Sequence, residues 1–289
     1  MKDEKFLDVG GRKTRFFEAG RGDPLVLIHG GQYGSSSFCS ANDWGLNFDA
    51  LARSFHVFAF DKLGMGFTDN PSDDNEYTID ATIDHAYNCL EQLGIRQSTV
   101  IGHSRGALVA ACLALQHADL VKSVVVVDSN TLAPDDPSVP MNFYADIQKS
   151  APESPTMESV MSEARANSYS TNHITTEFSE IRYKIATLPK TMEARRKMDA
   201  TGKSHFYPLL NERRRNTIDS IATGDLRAPT LIVWGLNDPT APFKLATNLF
   251  RIIASKNDRT QLHSFNHAGH YSFREHSDDF NRVISTFLV

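Results

Sequence analysis

Two uninterrupted apolar runs, at residues 25–28 (LVLI) and 124–127 (VVVV), constrain the fold of this chain most strongly. A strand with one face in water alternates apolar and polar residues, whereas a strand covered on both faces does not. Each run is much shorter than a typical buried helix and is bounded by polar or turn-forming residues. The runs therefore indicate strands of a parallel sheet that lies between two layers of helices.

Strand and helix patterns alternate along most of the chain. Seven segments have the character of strands: 14–18, 24–29, 56–61, 98–102, 122–128, 230–235 and 260–265. Four segments have helical periodicity: 79–93, 106–117, 243–253 and 276–287. This alternation predicts an α/β fold with a mostly parallel central sheet, right-handed crossovers and flanking helices.

The alternation is interrupted between residues 132 and 225. Prolines punctuate the beginning of this segment, and helical stretches follow at 157–167, 176–186 and 192–201. Ligands of open α/β sheets bind at the carboxyl ends of the strands. The sequence therefore predicts a core made of residues 1–131 and 226–289, with residues 132–225 as a helical lid over the site.

Composition narrows the possible partners and location. Among 289 residues, 30 Lys and Arg against 35 Asp and Glu give a net charge of −5, so nothing draws the chain generally to nucleic acid or anionic membranes. No apolar run has the length of a membrane span, and the N-terminus has no apolar signal segment. The three cysteines have no metal-site spacing. We expect a small-molecule substrate, no metal or other cofactor, and a reducing, cytoplasmic location.

The pentapeptide GHSRG at residues 102–106 carries the strongest indication of chemistry. It matches the pattern G-x-S-x-G, follows a predicted strand and begins a predicted helix of small residues. In that context the serine lies on a sharp, strained turn with its hydroxyl exposed, and the glycines allow helix and strand to approach closely. We therefore predict that Ser104 is a catalytic nucleophile.

A serine hydroxyl needs a base, and the chain order typical of this arrangement is Ser, acid, His. His270, in the loop after the last predicted strand, is the preferred base. His267 lies in the same loop and is the competing candidate. His263 lies within a strand, which favours a structural role.

The acid that orients the histidine is expected just after the penultimate strand. Asp238 lies there, in the sequence Leu236-Asn237-Asp238-Pro239. Its carboxylate would fix the histidine tautomer and stabilise the imidazolium. Asp128, one strand earlier, is the alternative. Asp61 precedes Ser104 in the chain, so it is interpreted as a turn-stabilising carboxylate.

Backbone amides must stabilise the oxyanion of the tetrahedral intermediate. The amide of Arg105, directly after the nucleophile, is one expected donor, and the amide of Gly31, in the segment HGGQ at 29–32, is the other. The Arg105 side chain has no required role in this scheme. Its guanidinium could alternatively pair with an anionic substrate.

These motifs make the chain resemble the α/β-hydrolases over nearly its whole length. More narrowly, it resembles the meta-cleavage product hydrolases, which split a carbon–carbon bond in vinylogous diketones produced by ring-cleaving dioxygenases. Three segments carry the narrower resemblance: 265–288, 29–44 and 173–183. The resemblance implies a 2-hydroxy-6-oxo-hexa-2,4-dienoate substrate and a homo-oligomer. A carboxylesterase or lactonase with the same triad, or a non-catalytic ligand receptor, is the alternative.

The resemblance also implies residues that bind the substrate. Arg182 matches the arginine that holds the carboxylate end, although pairing with Glu177 or Glu180 is the structural alternative. Four further positions are expected near the same end: Gly30, Asn42, His103 and Tyr271. Four positions differ from the residues typical of the family: His103, Arg105, Gln32 and Tyr271. The resemblance therefore defines the substrate less closely than it defines the triad. Whether serine or an activated water attacks first is left open.

Overall fold

A single eight-stranded sheet forms the centre of the protein in the computed structural model, which describes residues 1–139, 143 and 154–288. The strands are β1 Lys5–Val9, β2 Arg12–Ala19, β3 Pro24–Ile28, β4 His56–Phe60, β5 Ser98–His103, β6 Val121–Val127, β7 Thr230–Gly235 and β8 Thr260–Phe265. Their order is β1-β2-β4-β3-β5-β6-β7-β8. The first three strands in this order pair antiparallel and the remainder pair parallel. The predicted α/β class is confirmed.

All seven predicted strands are present, but the sequence patterns missed β1. This strand lies at the edge of the sheet, and Val9 is its only buried residue. An exposed edge strand has no apolar pattern to reveal it. Its one sequence indication is the pair Gly10-Gly11 that turns the chain into β2, where both glycines have positive φ.

Helices cover both faces of the sheet, which explains the uninterrupted apolar runs. Before β6, the helices that form these layers are α1 Phe48–Leu51, α2 Ile79–Gln92 and α3 Arg105–Gln116. After β7 the chain adds α8 Phe243–Ala254, α9 Ser272–Glu275 and α10 Ser277–Leu288. One core contains apolar residues of α2, α3 and α8, and the other contains those of α1, α9 and α10. The valines 124–127 of β6 are inaccessible between these two cores.

Between β6 and β7 the described residues form helices and no strand. They are α4 Met157–Asn167, α5 Thr176–Ala186, α6 Pro189–Thr201 and α7 Tyr207–Thr223. Residues 140–142 and 144–153 of the predicted lid 132–225 lie outside the described residues. α6 begins three residues earlier than predicted, because Pro189 suits the first turn of a helix, and α7 was not delimited by the sequence. The helices 154–223 support the division into core and lid, which stays a prediction.

The topology creates a crevice where the chain changes direction across the sheet. From β3 the chain continues to β4 on one side, and it then returns to β5 on the other side of β3. The loops after neighbouring strands on either side of such a switch point diverge and leave room for a ligand. Ser104 follows β5 and Gly31 follows β3, so both lie at this crevice.

The described residues also bear on the expectations about membrane spans and cysteines. None of their helices is both long and apolar enough to cross a bilayer. Cys39, Cys89 and Cys112 are buried free thiols.

Candidate active site

Ser104 occupies a strained turn between β5 and α3. Its φ of 52° and ψ of −123° lie outside the regions that non-glycine residues normally adopt. A Cβ added at Gly102 would lie 2.3 Å from the Gly106 carbonyl oxygen, and one added at Gly106 would lie 2.5 Å from the Ile28 carbonyl oxygen. The two glycines therefore allow the backbones of α3, β5 and β3 to approach closely, as the sequence predicted.

The predicted base and acid form a close pair. Nδ1 of His270 donates to Oδ2 of Asp238 across 2.7 Å, and both side chains are buried. Oδ1 of Asp238 accepts three further hydrogen bonds, from the amide and hydroxyl of Thr240 and from the amide of Ala241. The second imidazole nitrogen of His270 stays available for Ser104, and both residues line the same cavity.

The electrostatics of this pair favour a charged imidazole. Burial by itself lowers the pKa of His270, but the Asp238 carboxylate, together with Asp128 and Glu163, outweighs burial, so the pKa of His270 lies above its ordinary value. The pair would therefore stabilise the imidazolium that the predicted transfer of the Ser104 proton to His270 forms.

Asp128, the alternative acid, has a different position. Its carboxylate accepts from the Gly235 amide at 2.8 Å and from the Ser272 hydroxyl at 2.6 Å. Gly235 begins the loop that carries Asp238, and Ser272 follows the loop that carries His270. Asp128 thus joins the two catalytic loops and does not contact the imidazole as a hydrogen-bond acceptor. Burial raises the pKa of Asp128 well above its usual range, and Asp238 adds to the rise.

The other candidates lie away from the chemistry. His267 is exposed and stacks on Tyr169, with ring centroids 5.0 Å apart. His263 is a partly exposed residue of β8. Asp61 pairs with Arg15 at 2.8 Å and accepts from the amides of Ala41 and Phe67. This agrees with its interpretation as a turn-stabilising carboxylate.

The predicted oxyanion donors lie on either side of Ser104. Arg105 is the first residue of α3, where a backbone amide has no acceptor within the helix. Gly31 has a φ of +71° in the loop after β3, and both residues line the cavity. The partial positive charge at the N-terminus of α3 adds to the stabilisation of an oxyanion.

A buried lysine that the sequence did not single out supports the oxyanion loop. Nζ of Lys62 donates to the Gly31 carbonyl across 2.8 Å, and the Lys62 amide donates to Nε2 of His29. His29 therefore carries its proton on Nδ1 and donates to the Gly30 carbonyl. Burial, together with the nearby Arg105 charge, lowers the pKa of Lys62 to about 7. The available sequence indication was its position, because Lys62 is the second residue after β4.

The catalytic groups lie at a cavity of about 620 Å³ between the sheet and the lid helices. The oxyanion loop, residues 31–39, forms one wall, and α4, α6 and the start of α7 contribute the opposite wall. Hydroxyl, amide and charged side chains predominate. Those from outside the triad include Gln32, Ser35, Ser36, Ser37, Asn130, Thr131, Glu163, Arg195, Lys203 and Tyr207.

Arg182 lies behind this cavity, and its partners differ from both sequence expectations. Its side chain is 1% exposed and forms an ion pair with Asp43 at 3.0 Å. It also donates to the Ser37 carbonyl and, at 3.3 Å, to the Tyr271 hydroxyl. Arg182 is not among the residues that line the cavity, and Glu177 and Glu180 are not its partners. The sequence could not reveal the pairing because 139 residues separate Arg182 from Asp43.

The apolar neighbours expected beside Arg182 do not line the cavity either. Phe178 stacks on the Arg182 guanidinium, with 4.2 Å between the guanidinium carbon and the ring centre, and is itself buried in the core. Ile174 and Ile181 pack against the same core. The interior of the protein, and not the cavity, therefore receives the apolar face of α5.

The remaining predicted substrate contacts divide into two groups. His103 and Tyr271 line the cavity, and Nε2 of His103 donates to the His270 carbonyl at 2.8 Å. Gly30 packs against the nucleophile turn, because an added Cβ would lie 3.1 Å from the Ser104 Cβ. Asn42 accepts from Arg15 at 2.7 Å and is not among the lining residues.

The catalytic histidine loop is bonded to the lid. The His270 amide donates to the Asn167 carbonyl at the end of α4, across 2.7 Å. The Glu275 carboxylate accepts from the amides of Gly269 and Ser170, each at 2.8 Å. The lid helices therefore contribute to the position of the base as well as to the cavity wall.

The part of the chain that the structure describes has no group of three or more His, Cys, Asp or Glu side chains suited to a metal ion.

Comparison with known proteins extends this description. A family model described as alpha/beta hydrolase fold matches residues 23–277. A 2-hydroxymuconate semialdehyde hydrolase of Pseudomonas sp. (strain CF600) is 28% identical, with 97% of this chain and 92% of the relative covered. A 2-hydroxy-6-oxo-6-(2'-aminophenyl)hexa-2,4-dienoic acid hydrolase of Metapseudomonas resinovorans is 27% identical, with 99% and 90% covered.

Solved structures give the same result. A meta-cleavage product hydrolase from Pseudomonas fluorescens is 26% identical, has a TM-score of 0.78, and aligns over 98% of this chain and 97% of its own. The resemblance that the motifs indicated is thereby confirmed. The chain belongs to the α/β-hydrolase fold family and is a hydrolase.

Proposed function

We propose that this protein is a serine hydrolase that cleaves a carbon–carbon bond in a 2-hydroxy-6-oxo-hexa-2,4-dienoate-type meta-cleavage product of aromatic catabolism. The observation that carries the proposal is the extent of the similarity. Four relatives whose names describe hydrolases of such dienoates or semialdehydes are 26–28% identical over 97–99% of this chain. Similarity of that extent spans the predicted lid as well as the predicted catalytic loops.

The described residues provide each group that the first half of the reaction needs. The dienol of the substrate ketonises, which places a ketone opposite a carbon that can leave as a stabilised carbanion. His270 accepts the Ser104 proton, and Oγ of Ser104 adds to the remote ketone. The amides of Gly31 and Arg105 stabilise the resulting oxyanion.

The second half regenerates the enzyme. Collapse of the tetrahedral intermediate breaks the carbon–carbon bond, and the electron pair of that bond is delocalised to the oxygen at C2 of the leaving fragment. This oxygen takes up the proton held by His270, which releases a 2-hydroxypentadienoate. Water, deprotonated by His270, then hydrolyses the acyl group from Ser104. Asp238 holds the imidazole in the orientation that both proton transfers require. An attack by activated water in place of Ser104 would use the same base and oxyanion donors.

The carboxylate end of the substrate is the point at which this structure and the sequence expectation differ. Arg182 is charge-balanced by Asp43 and lies outside the cavity lining, so the proposal does not use it as a ligand. A cytoplasmic location and a homo-oligomeric state stay predictions from the sequence.

The test compares the two hydrolytic reactions directly. Purified enzyme would receive a 2-hydroxy-6-oxo-dienoate and a short neutral p-nitrophenyl ester at equal concentration, with Ser104→Ala as the control. We expect the visible absorbance of the dienoate to bleach with a much higher kcat/KM than that of ester hydrolysis. We also expect each cleaved dienoate to release one molecule of the carboxylic acid that derives from its acyl part. Ester hydrolysis as fast as bleaching, or faster, would instead support the carboxylesterase or lactonase alternative.

A further inference from the structure

Five carboxylate side chains are buried in the described residues, and four of them either pair with a cationic side chain or accept several hydrogen bonds. Asp43, Asp61 and Asp238 are each paired with an arginine or a histidine, although Oδ2 of Asp43 accepts no hydrogen bond from the described residues. Asp128 accepts three hydrogen bonds from Gly235 and Ser272. This is the usual state of buried acids, since a carboxylate removed from water must be paired or hydrogen-bonded to offset the cost of burial.

Glu163, on α4, is the exception. It is 4% exposed, and within residues 1–139 and 154–288 its recorded hydrogen bond is the one from the Ser36 hydroxyl to Oε2. No lysine, arginine or histidine nitrogen of those residues lies within 4.0 Å of it. Glu163 lines the catalytic cavity. A carboxyl group that is buried, has one hydrogen bond and lines a ligand cavity can accept further hydrogen bonds from a ligand that displaces water from the cavity.

The position of Glu163 places it beside the reacting groups. Ser36 belongs to the oxyanion loop, five residues after Gly31. One helical turn after Glu163, the carbonyl of Asn167 accepts the amide of His270. Burial raises the pKa of Glu163, while the hydrogen bond from Ser36 and the charges of Arg182, His270 and Arg105 oppose that rise. Because Glu163 and Ser104 line the same cavity, an acyl group attached to Ser104 would share that cavity with Glu163.

We propose that Glu163 and Ser36 form a second polar subsite of the catalytic cavity, which binds a hydrogen-bond donor, either hydroxyl or ammonium, on the acyl part of the substrate. The subsite predicts a substituent on the dienoate substrate, and this part of the inference rests on the proposed function. Its physical basis, however, applies to any acyl group that Ser104 accepts. A purely hydrocarbon acyl group would leave the buried carboxyl unsatisfied, which penalises binding.

The test uses acyl groups of equal length in two series. The first series consists of the p-nitrophenyl esters of 3-hydroxypropanoate, 3-aminopropanoate and butanoate. The second series consists of 6-oxo-dienoates that carry 2-hydroxyethyl, 2-aminoethyl or propyl at C6, so cleavage gives the same three acyl-enzymes. The hydroxyl and amine members distinguish the two sources of a donor. The ester series reports on Glu163 even if no dienoate is cleaved.

For the wild type we expect kcat/KM to be about 10- to 100-fold higher for at least one donor-bearing acyl group than for the propyl group, the range for a hydrogen bond to a charged partner. Glu163→Leu should remove the preference. Glu163→Gln, which keeps an acceptor but not the charge, should remove more of an ammonium preference than of a hydroxyl preference. Glu158→Gln, an exposed acid on the same helix, is the matched control and should change neither.

Far-UV circular dichroism and cooperative urea unfolding check that the Glu163→Leu variant folds. If folded Glu163→Leu keeps the wild-type preference for a donor-bearing acyl group, the subsite is wrong. A wild type with no preference for either donor in the ester series also overturns it. If the ester preference depends on Glu163 but no dienoate is cleaved, the subsite stands and the proposed carbon–carbon hydrolase function fails.

Discussion

The floor and the lid of the catalytic cavity satisfy their buried charges in opposite ways. On the floor, the loops after β6, β7 and β8 hold Asp128 and Asp238 with three and four hydrogen bonds, and every partner lies in those loops or directly next to them. In the predicted lid, Glu163 has a single hydrogen bond, from the oxyanion loop. The two floor carboxylates are satisfied without a ligand, whereas Glu163 is not.

This difference corresponds to two tasks of an active site, catalysis of the reaction and selection of the substrate. A triad must be held in one geometry before the substrate arrives, because preorganised groups need no rearrangement at the moment of reaction. A selective wall gains from groups whose partners are missing, because only a ligand that provides them offsets the cost of their burial. The geometry of the floor fits the predicted serine hydrolase chemistry, and the lid wall fits the substrate selection that we propose for Glu163.

The largest expected effect tests whether the floor depends on His270 alone. His270→Ala should lower kcat by about 10⁴- to 10⁶-fold, since triad members act as a unit. His267→Ala, in the same loop but exposed and stacked on Tyr169, should stay within about threefold of the wild type, as a surface change does. Steady-state kinetics on one dienoate and one ester measure both. The reverse ranking would move the base to His267 and contradict the comparison.

The next effect concerns Arg182, which belongs to the lid but is buried behind the floor. Arg182→Gln should lower the free energy of unfolding by about 3–5 kcal/mol, because it leaves the Asp43 carboxylate buried without its partner. Arg96→Gln, in an exposed pair with Glu91, should change it by less than about 1 kcal/mol. Urea unfolding measures both. If Arg182→Gln unfolds like Arg96→Gln but loses activity on dienoates alone, Arg182 is a carboxylate ligand, as the family resemblance implied.

The smallest effect sharpens the comparison through pH. Because the pKa of His270 is raised and its neutral form is the base, activity should rise with pH through an apparent pKa above 6.5. Asp128 and Glu163 both contribute to that rise, so Asp128→Asn and Glu163→Gln should each move the acid limb to lower pH, by about one unit or less. Asp258→Asn, an exposed acid, is the control. If the acid limb of either variant moves to higher pH, the carboxyl group replaced in that variant does not stabilise the imidazolium.

Much of the floor was predictable because its determinants are local. The apolar runs at 25–28 and 124–127 require strands covered on both faces, and both strands lie at the centre of the sheet. The segment GHSRG predicted the strained turn at Ser104, since only glycines permit the close approach of strand and helix there. Chain order then pointed to Asp238 and His270, and the structure pairs them at 2.7 Å. β1 escaped because an exposed edge strand has no apolar pattern.

The tertiary structure alone decided the partners of the buried charges. Asp43 and Arg182 are 139 residues apart, and Ser36 and Glu163 are 127 residues apart. Neither pair has a spacing that a helix or strand would bring together, so no periodicity reveals it. From the sequence alone, a charged residue is expected at the surface. Where packing removes it from water, the residue that pairs with it determines its role. For that reason the sequence by itself predicted the fold and the three residues of the triad, whereas the packing of the predicted lid on the oxyanion loop decided which groups line the cavity.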